Sequence, residues 1–213
     1  DPAVRIEKLT LVIDENPSPV AATISFGPAM APLDFETRVR VNQYSNIRVL
    51  AETAAGVREI EVGSFVPPAL LPQMADTAEL VAFARTLPGL NVVALVPNAR
   101  GAERAAAAGV HGMSIPFSMS ETHSLKNVRK SHPEMIAEIA RAAAIARAAG
   151  IHFAVGLATA FGCTIEGHIP EDQVVRLAEA AVAAGAQELS LSDTTGYADP
   201  AQVKRLVKKV RAA

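Results

Sequence analysis

Polar side chains that could take part in chemistry recur at regular places between residues 57 and 213. Glu61 and Ser64 come first, then Asn98, then Ser118, Ser120 and Glu121, then Thr159 and Cys163, then Asp193 and Thr194, each group closing a short apolar run. Carboxylates so placed can exchange protons or hold a cation, and hydroxyls and amides can orient a substrate by hydrogen bonds. Asn98 and Asp199 read equally well as helix caps. Capping alone does not explain why such groups close one run after another. These residue types imply an enzyme and leave its chemistry open. The histidines, His111, His123, His132, His152 and His168, never stand two residues apart, the spacing that would put both rings on one strand face for a metal. Most of them read as surface or helix-start residues.

The elements that must position these groups are marked by a repeated phrase. Ala54-Ala55-Gly56-Val57, Ala107-Ala108-Gly109-Val110, Ala148-Ala149-Gly150-Ile151 and Ala183-Ala184-Gly185-Ala186 each read as a helix end, a left-handed glycine cap and a strand start. Pro88-Gly89-Leu90-Asn91 serves the same purpose. Strands are predicted at about 57–62, 91–96, 111–116, 151–157 and 187–192, apolar without clean alternation, as for parallel strands covered on both faces. Amphipathic helices are predicted near 134–149 (Met135, Ile136, Ile139 and Ala143 on one face) and 172–184 (Val174, Leu177, Ala178 and Ala181). Another starts at Asp199-Pro200, with Val203, Leu206, Val207 and Val210 as its buried stripe. The pattern is a succession of βα units, hence a parallel α/β fold, in which the chemistry sits where the strands finish.

The first fifty or so residues differ. Leu9, Leu11 and Ile13 alternate, as do Val39 and Val41, and Asn16-Pro17-Ser18-Pro19 and Gly27-Pro28 interrupt them. Such runs predict antiparallel strands with one wet face.

Composition narrows the class. The chain has 213 residues, 50% of them hydrophobic and 20% charged, which is ordinary for a globular protein and short of the roughly 250 residues of a closed (β/α)8 barrel. A net charge of -2 argues against a nucleic-acid partner, and Lys204, Arg205, Lys208, Lys209 and Arg211 read as a solvated helix face. No apolar run is long enough for a membrane span. The single Cys163 cannot form an internal disulfide, and no basic-then-apolar leader follows Asp1, so a cytoplasmic location is expected.

Several motifs carry a resemblance. Ile60-Glu61-Val62-Gly63-Ser64-Phe65-Val66-Pro67-Pro68 with Pro72-Gln73-Met74-Ala75-Asp76, Leu95-Val96-Pro97-Asn98 with Gly101, and Ser118-Met119-Ser120-Glu121-Thr122-His123 with Lys126-Asn127 come first. Ala160-Phe161-Gly162-Cys163 with Glu166-Gly167 and Leu189-Ser190-Leu191-Ser192-Asp193-Thr194-Thr195-Gly196 with Pro200 complete the set. In this order they resemble the hydroxymethylglutaryl-CoA lyase family. The resemblance implies a partial (β/α)8 TIM barrel from residue 54 onward, acting on a 3-hydroxy-3-methylacyl-CoA ester by retro-aldol cleavage with a magnesium or manganese ion as Lewis acid. It implies Glu61 and Asp193 as catalytic residues, with Ser64, Asn98, Ser120, Asn127 and Thr194 around the substrate. Residues 1–53, through Pro17-Ser18-Pro19-Val20-Ala21, Thr37-Arg38-Val39-Arg40-Val41-Asn42 and Ile47-Arg48-Val49-Leu50-Ala51-Glu52-Thr53, resemble β-sandwich carrier proteins of bacterial thiosulfate oxidation. Their cargo cysteine, in a glycine-rich C-terminal tail, has no counterpart, so carrier activity is not implied.

Departures shape the expectation as much as matches. The lyase family's Arg-Asp-Gly motif, its His-x-His pair, its metal-binding asparagine and the cysteine of its glycine-rich loop do not occur here, so no metal ligand is assigned. Thr159 and Thr164-Ile165 replace the usual cysteine and proline-tyrosine. The chain is therefore expected to lack appreciable lyase activity by itself, and an unpaired sheet edge to promote self-association. The alternative is a non-catalytic hybrid that joins a carrier-like β segment to a barrel fragment.

Overall fold

Alternating β-branched and polar residues extend the N-terminal part of the chain into strands, and alanine-rich helices between apolar runs build the rest. A computed structural model of the chain describes residues 6–13, 20–26, 47–53 and 58–213. The chain divides into two compact units, Asp1–Arg58 and Glu59–Ala213.

In the first unit, β1 (Ile6–Ile13) pairs antiparallel with β2 (Val20–Ser25) and β3 (Ile47–Thr53), in the order β2-β1-β3. Leu9 stands opposite Ile24 on one side and Ala51 on the other, and the β1/β2 register slips between Leu11 and Val12. This is the antiparallel arrangement expected from the alternation. Val39, Val41, the two proline-marked breaks and Ala54–Val57 lie outside the described residues. One expectation fails here: the phrase at Ala54 follows strand β3 rather than a helix. Ile47 and Val49 favour extended backbone, and the ladder with β1 takes up that preference.

The second unit runs β4 (Glu59–Ser64), α1 (Thr77–Ala84), β5 (Asn91–Leu95), α2 (Ala99–Ala108), β6 (Gly112–Ser118), α3 (Glu121–Val128), α4 (His132–Ala149), β7 (His152–Ala158), α5 (Glu171–Ala183), β8 (Glu188–Leu191) and α6 (Pro200–Ala212). Its sheet has the order β4-β5-β6-β7-β8, and every pairing is parallel, including Val93 with Gly112 between β5 and β6. This is a partial (β/α)8 barrel of five successive βα units, preceded by the all-β unit.

Local signals place the helices. Gly109 and Gly150 cap α2 and α4 in the left-handed region, with φ of 82° and 67°. Glu134 accepts from the backbone N–H of Ser131 at the start of α4, at 2.7 Å, and Asp199 accepts from Gln202 N at 2.8 Å at the start of α6, where Pro200 follows. On β5 and β7 alternate residues are buried: Val92, Ala94, Phe153, Val155 and Leu157 pack against the helices, among Phe117, Ile139 and Val174. The other face, with Val93, Leu95, Ser114, Pro116 and Gly156, is only half buried. Burial on both faces was the expectation. On β6 and β7 the alternation is one of size, large toward the helices and small or polar opposite, whereas on β5 Val93 and Leu95 keep the half-buried face apolar.

Two further corrections concern boundaries and stripes. β4 begins at Glu59 and runs to Ser64, so Glu61 lies within the strand rather than at its end; the ladder with β5 slips after Glu61 and resumes at Ser64. In α6 only Leu206 of the expected stripe is fully buried, Gln202 is buried instead, and Val203 and Val207 stay 38% and 37% exposed. The cause is packing: α6 meets α5 on one flank, through Arg205 and Lys209 to Glu171, and its valine flank faces the other way.

Candidate functional site

Because all five strands run the same way, the residues that follow them meet at one end of the sheet. The centre of that end is a buried hydroxyl network on β6 and β7. Thr159 follows β7 directly, with its side chain fully buried. Its hydroxyl donates to the carbonyl of Ala158 at 2.6 Å, accepts from the backbone N–H of Ser120 at 3.1 Å and lies 3.1 Å from Ser118 Oγ. Its own backbone N–H donates to Thr194 Oγ1 at 2.8 Å, which ties in the loop after β8. Thr159 holds this position with φ of 57°. A β-branched residue in the left-handed region is strained by about 1–3 kcal/mol, a cost the surrounding bonds offset and one that recurs at functional sites.

Ser118, the last residue of β6, also lies 2.9 Å from His123 Nδ1. Ser120 caps α3, accepting from His123 N at 3.0 Å. His132 starts α4, with Nε2 at 3.0 Å from the carbonyl of Ser118 and its ring edge-on to Phe117. The β7–α5 loop folds over this group as a small hairpin, in which Cys163 and Gly167 exchange backbone bonds of 2.8 and 2.7 Å. Glu166, at its turn, accepts from Thr122 N at 2.7 Å, and Gln173 donates to the carbonyl of Met119 at 2.7 Å.

The electrostatics follow from these bonds. Desolvation pushes the Cys163 thiol upward, but the Ser120 hydroxyl and the backbone N–H groups of Glu166 and Ile165 together outweigh it and hold the thiol below its ordinary value. Desolvation likewise opposes ionisation of Glu166, and the Thr122 hydroxyl and N–H, Ser120 and His132 overcome it, so this carboxyl also titrates low.

The structure brings some of the sequence candidates together. Ser120 and Thr194 meet through Thr159. Asp193 lies just beyond β8, its two oxygens accepting from Tyr197 N at 3.0 Å and Ala198 N at 3.1 Å. Glu61 is exposed and paired in register with Val93, so it shares the half-open face of the sheet that carries Ser114 and Pro116, two residues short of where Val93's strand finishes. Ser64 ends β4, and its carbonyl accepts from Thr77 Oγ1 at 3.1 Å. Asn98 caps α2, accepting from Gly101 N at 3.0 Å, so the capping reading of this residue holds. Asn127 is exposed in the last turn of α3. Sequence reasoning assigned no role to His123, His132, Glu166 or Gln173. The Ser131-x-x-Glu134 box was a signal that α4, and with it His132, begins there.

Comparison with known proteins decides the family. The family model described as HMGL-like matches residues 40–213. This chain belongs to the HMGL-like family. A second model, sulfur oxidation protein SoxY, matches residues 1–62. The HMGL-like chain is 38% identical to hydroxymethylglutaryl-CoA lyase of Bacillus subtilis over 157 residues, covering 74% of this chain and 52% of that protein. It is 39% identical to (R)-citramalyl-CoA lyase of Chloroflexus aurantiacus over 167 residues, covering 74% and 53%. The crystal structure of the Bacillus subtilis lyase superposes with a TM-score of 0.71 at 37% identity, covering 75% of this chain and 53% of the other. An HMG-CoA lyase from Acinetobacter baumannii in complex with coenzyme A and 3-methylmalate gives a TM-score of 0.68 at 35% identity, over 73% and 50%. The chain thus spans about half the length of these relatives.

Proposed function

We propose that the HMGL-like unit carries part of a carbon-carbon lyase site for an acyl-CoA ester of the 3-hydroxy-3-methyl type. One observation carries this reading: the buried Ser118, Ser120 and Thr159, joined to the exposed Thr194 through the backbone of Thr159, form a network at the end of the parallel sheet built from three strand-following loops. Relatives named for acyl-CoA lyase activity, and one solved with coenzyme A, support the substrate class. In this reading Glu61 and Asp193 are the proton-handling groups, Asp193 aimed by the Tyr197 and Ala198 N–H groups. Ser64, Asn98, Ser120, Asn127 and Thr194 shape the substrate's surroundings. Among the described residues no helix is long and apolar enough to cross a membrane, and a cytoplasmic setting is proposed.

A divalent metal, which would polarise the substrate's oxygens, does not fit the described residues. No three His, Cys, Asp or Glu side chains converge among them, and Asp193, whose oxygens each accept one backbone N–H, has no second such ligand beside it in a cluster. No step is assigned to a metal on this chain. Cleavage by the chain alone is therefore expected to be slower than by an intact lyase by roughly 10³-fold or more. The test is acetyl-CoA release from hydroxymethylglutaryl-CoA with magnesium or manganese present, alongside calorimetric binding of coenzyme A. Binding without turnover fits the proposal. Turnover near one per second that Glu61→Ala abolishes would show that the chain builds a competent site from residues not assigned here.

The SoxY match and the separate antiparallel unit favour a second reading, a non-catalytic hybrid. Absence of coenzyme A binding at millimolar ligand would favour it.

A further inference from the structure

Two histidines flank Ser118, and strand alternation gives them different faces of the sheet. Along β6, Met113, Ile115 and Phe117 turn toward the helices, so Ser114, Pro116 and Ser118 turn to the other face. Ser118 pairs in register with Ala158, which stands on the same face of β7 as Gly156. His132 lies edge-on to Phe117, on the helix side, and its Nε2 can only donate to the carbonyl of Ser118. His123 instead meets the hydroxyl of Ser118, on the face opposite the helices and at the end where the strands finish.

Counting hydrogens fixes the tautomer of His123. The one hydroxyl hydrogen of Thr159 goes to the carbonyl of Ala158 at 2.6 Å, so the contact between Thr159 and Ser118 takes its hydrogen from Ser118. Ser118 has then used its own, and its 2.9 Å contact with His123 takes its hydrogen from Nδ1. A neutral imidazole protonated at Nδ1 carries a lone pair and no hydrogen at Nε2. Among the described residues Nε2 has no partner, and no buried side-chain polar atom there goes without one, so Nε2 is open to solvent. The backbone is pinned as well, since His123 N donates to Ser120 Oγ at 3.0 Å in the first turn of α3. The ring therefore stands as a fixed acceptor held by a buried hydroxyl chain.

We infer that Nε2 of His123 accepts the hydroxyl hydrogen of a bound 3-hydroxyacyl thioester, which makes His123 the residue that recognises that hydroxyl. A group that accepts and cannot donate selects a donor. At its acyl end such a thioester offers carbonyl oxygen, which only accepts, and one donor, the hydroxyl. A ligand without the hydroxyl leaves Nε2 facing water. This inference rests on the lyase reading and adds a residue to it.

The test is nitrogen-15 NMR of the full chain with labelled histidine, at about pH 8, above the ordinary histidine range. The His123 signals, among those of five histidines, are the ones that His123→Phe removes. The unaltered chain should show the hydrogen on Nδ1 and a bare Nε2. Thr159→Val frees the Ser118 hydroxyl to donate to Nδ1 and should move the hydrogen to Nε2, and the milder Ser118→Ala should also reduce the Nδ1-protonated form. Hydroxymethylglutaryl-CoA should shift the Nε2 signal, whereas acetyl-CoA and coenzyme A should not. By calorimetry, His123→Phe should weaken hydroxymethylglutaryl-CoA binding roughly tenfold, the scale of one hydrogen bond, and leave coenzyme A binding unchanged. The inference alone is overturned by a hydrogen on Nε2 in the unaltered chain, by an Nε2 signal that bound hydroxymethylglutaryl-CoA leaves in place or that acetyl-CoA shifts equally, or by an unchanged affinity in His123→Phe. If neither hydroxymethylglutaryl-CoA nor coenzyme A binds, the lyase reading falls and this inference with it.

Discussion

The two ends of the parallel sheet hold polar groups under opposite conditions. Where the strands begin, His152 and Glu188 meet at 3.0 Å with side chains 48% and 64% exposed, and Asn91 reaches Glu59 in the open. Where the strands finish, Ser118, Ser120 and Thr159 are buried and bonded to one another, and no buried side-chain polar atom among the described residues lacks a partner. An exposed pair gains little over water, so nothing depends on its geometry. A buried network costs heavily if a member is lost, which makes its geometry rigid. The same fold thus keeps a tolerant end and an exacting one, and only the second can hold a site preorganised.

The sharpest way to break this contrast is at Glu138. This buried carboxylate on α4 accepts from Ala99 N at 3.1 Å, Lys130 at 2.6 Å and Arg141 at 2.9 Å, beside the start of α2. Burial alone would raise its pKa, but these partners bring it down to about 2 from 4.5. A depressed folded value means stability that is present above about pH 4.5 and lost as pH falls toward 2. Glu138→Ala should cost about 3 kcal/mol at neutral pH and flatten the acid limb of a denaturation series. An unchanged acid limb would remove Glu138 from the network.

Next comes Thr159→Val, which keeps the shape and removes the hydroxyl. Ser120 N–H then loses its acceptor in a dry place, and urea unfolding should report a loss of about 2 kcal/mol. Ser118→Ala should cost less, about 1 kcal/mol, because Thr159 keeps its other partners. Cys163 sharpens the comparison differently. Its side chain is fully buried, so a thiol reagent should label it only after denaturant is added, although its pKa is lowered. At the opposite end, His152→Ala and Glu188→Gln should each change stability by less than about 0.5 kcal/mol, and a larger loss at either would erase the distinction.

How much of this was legible beforehand varies with the signal. The strand at 91–95 and the helices of α4, α5 and α6 follow from glycine caps, Asp199-Pro200 and apolar spacing, all of which act within a few residues. Helix α3 was missed, since Glu121–Val128 is short, mostly polar and buries only Ser124. The valines of α6 were read as core because spacing shows which residues share a face and not whether anything covers it. Within the site, Ser120, Asp193 and Thr194 were visible as residues following strands. The role of Thr159 was not, because its contact with Ser118 joins positions 41 residues apart.

By itself, then, the sequence determined the period of its elements, their parallel class and the end of the sheet where polar residues gather, since these rest on local backbone preference and side-chain spacing. Only the tertiary structure decided that Thr159 takes the left-handed region with its hydroxyl between β6 and β7, that Glu138 rather than solvent completes the start of α2, and that one flank of α6 stays open. Those outcomes depend on strand register and on which surfaces meet, and register is set by the summed pairing of whole strands rather than by any residue's own preference.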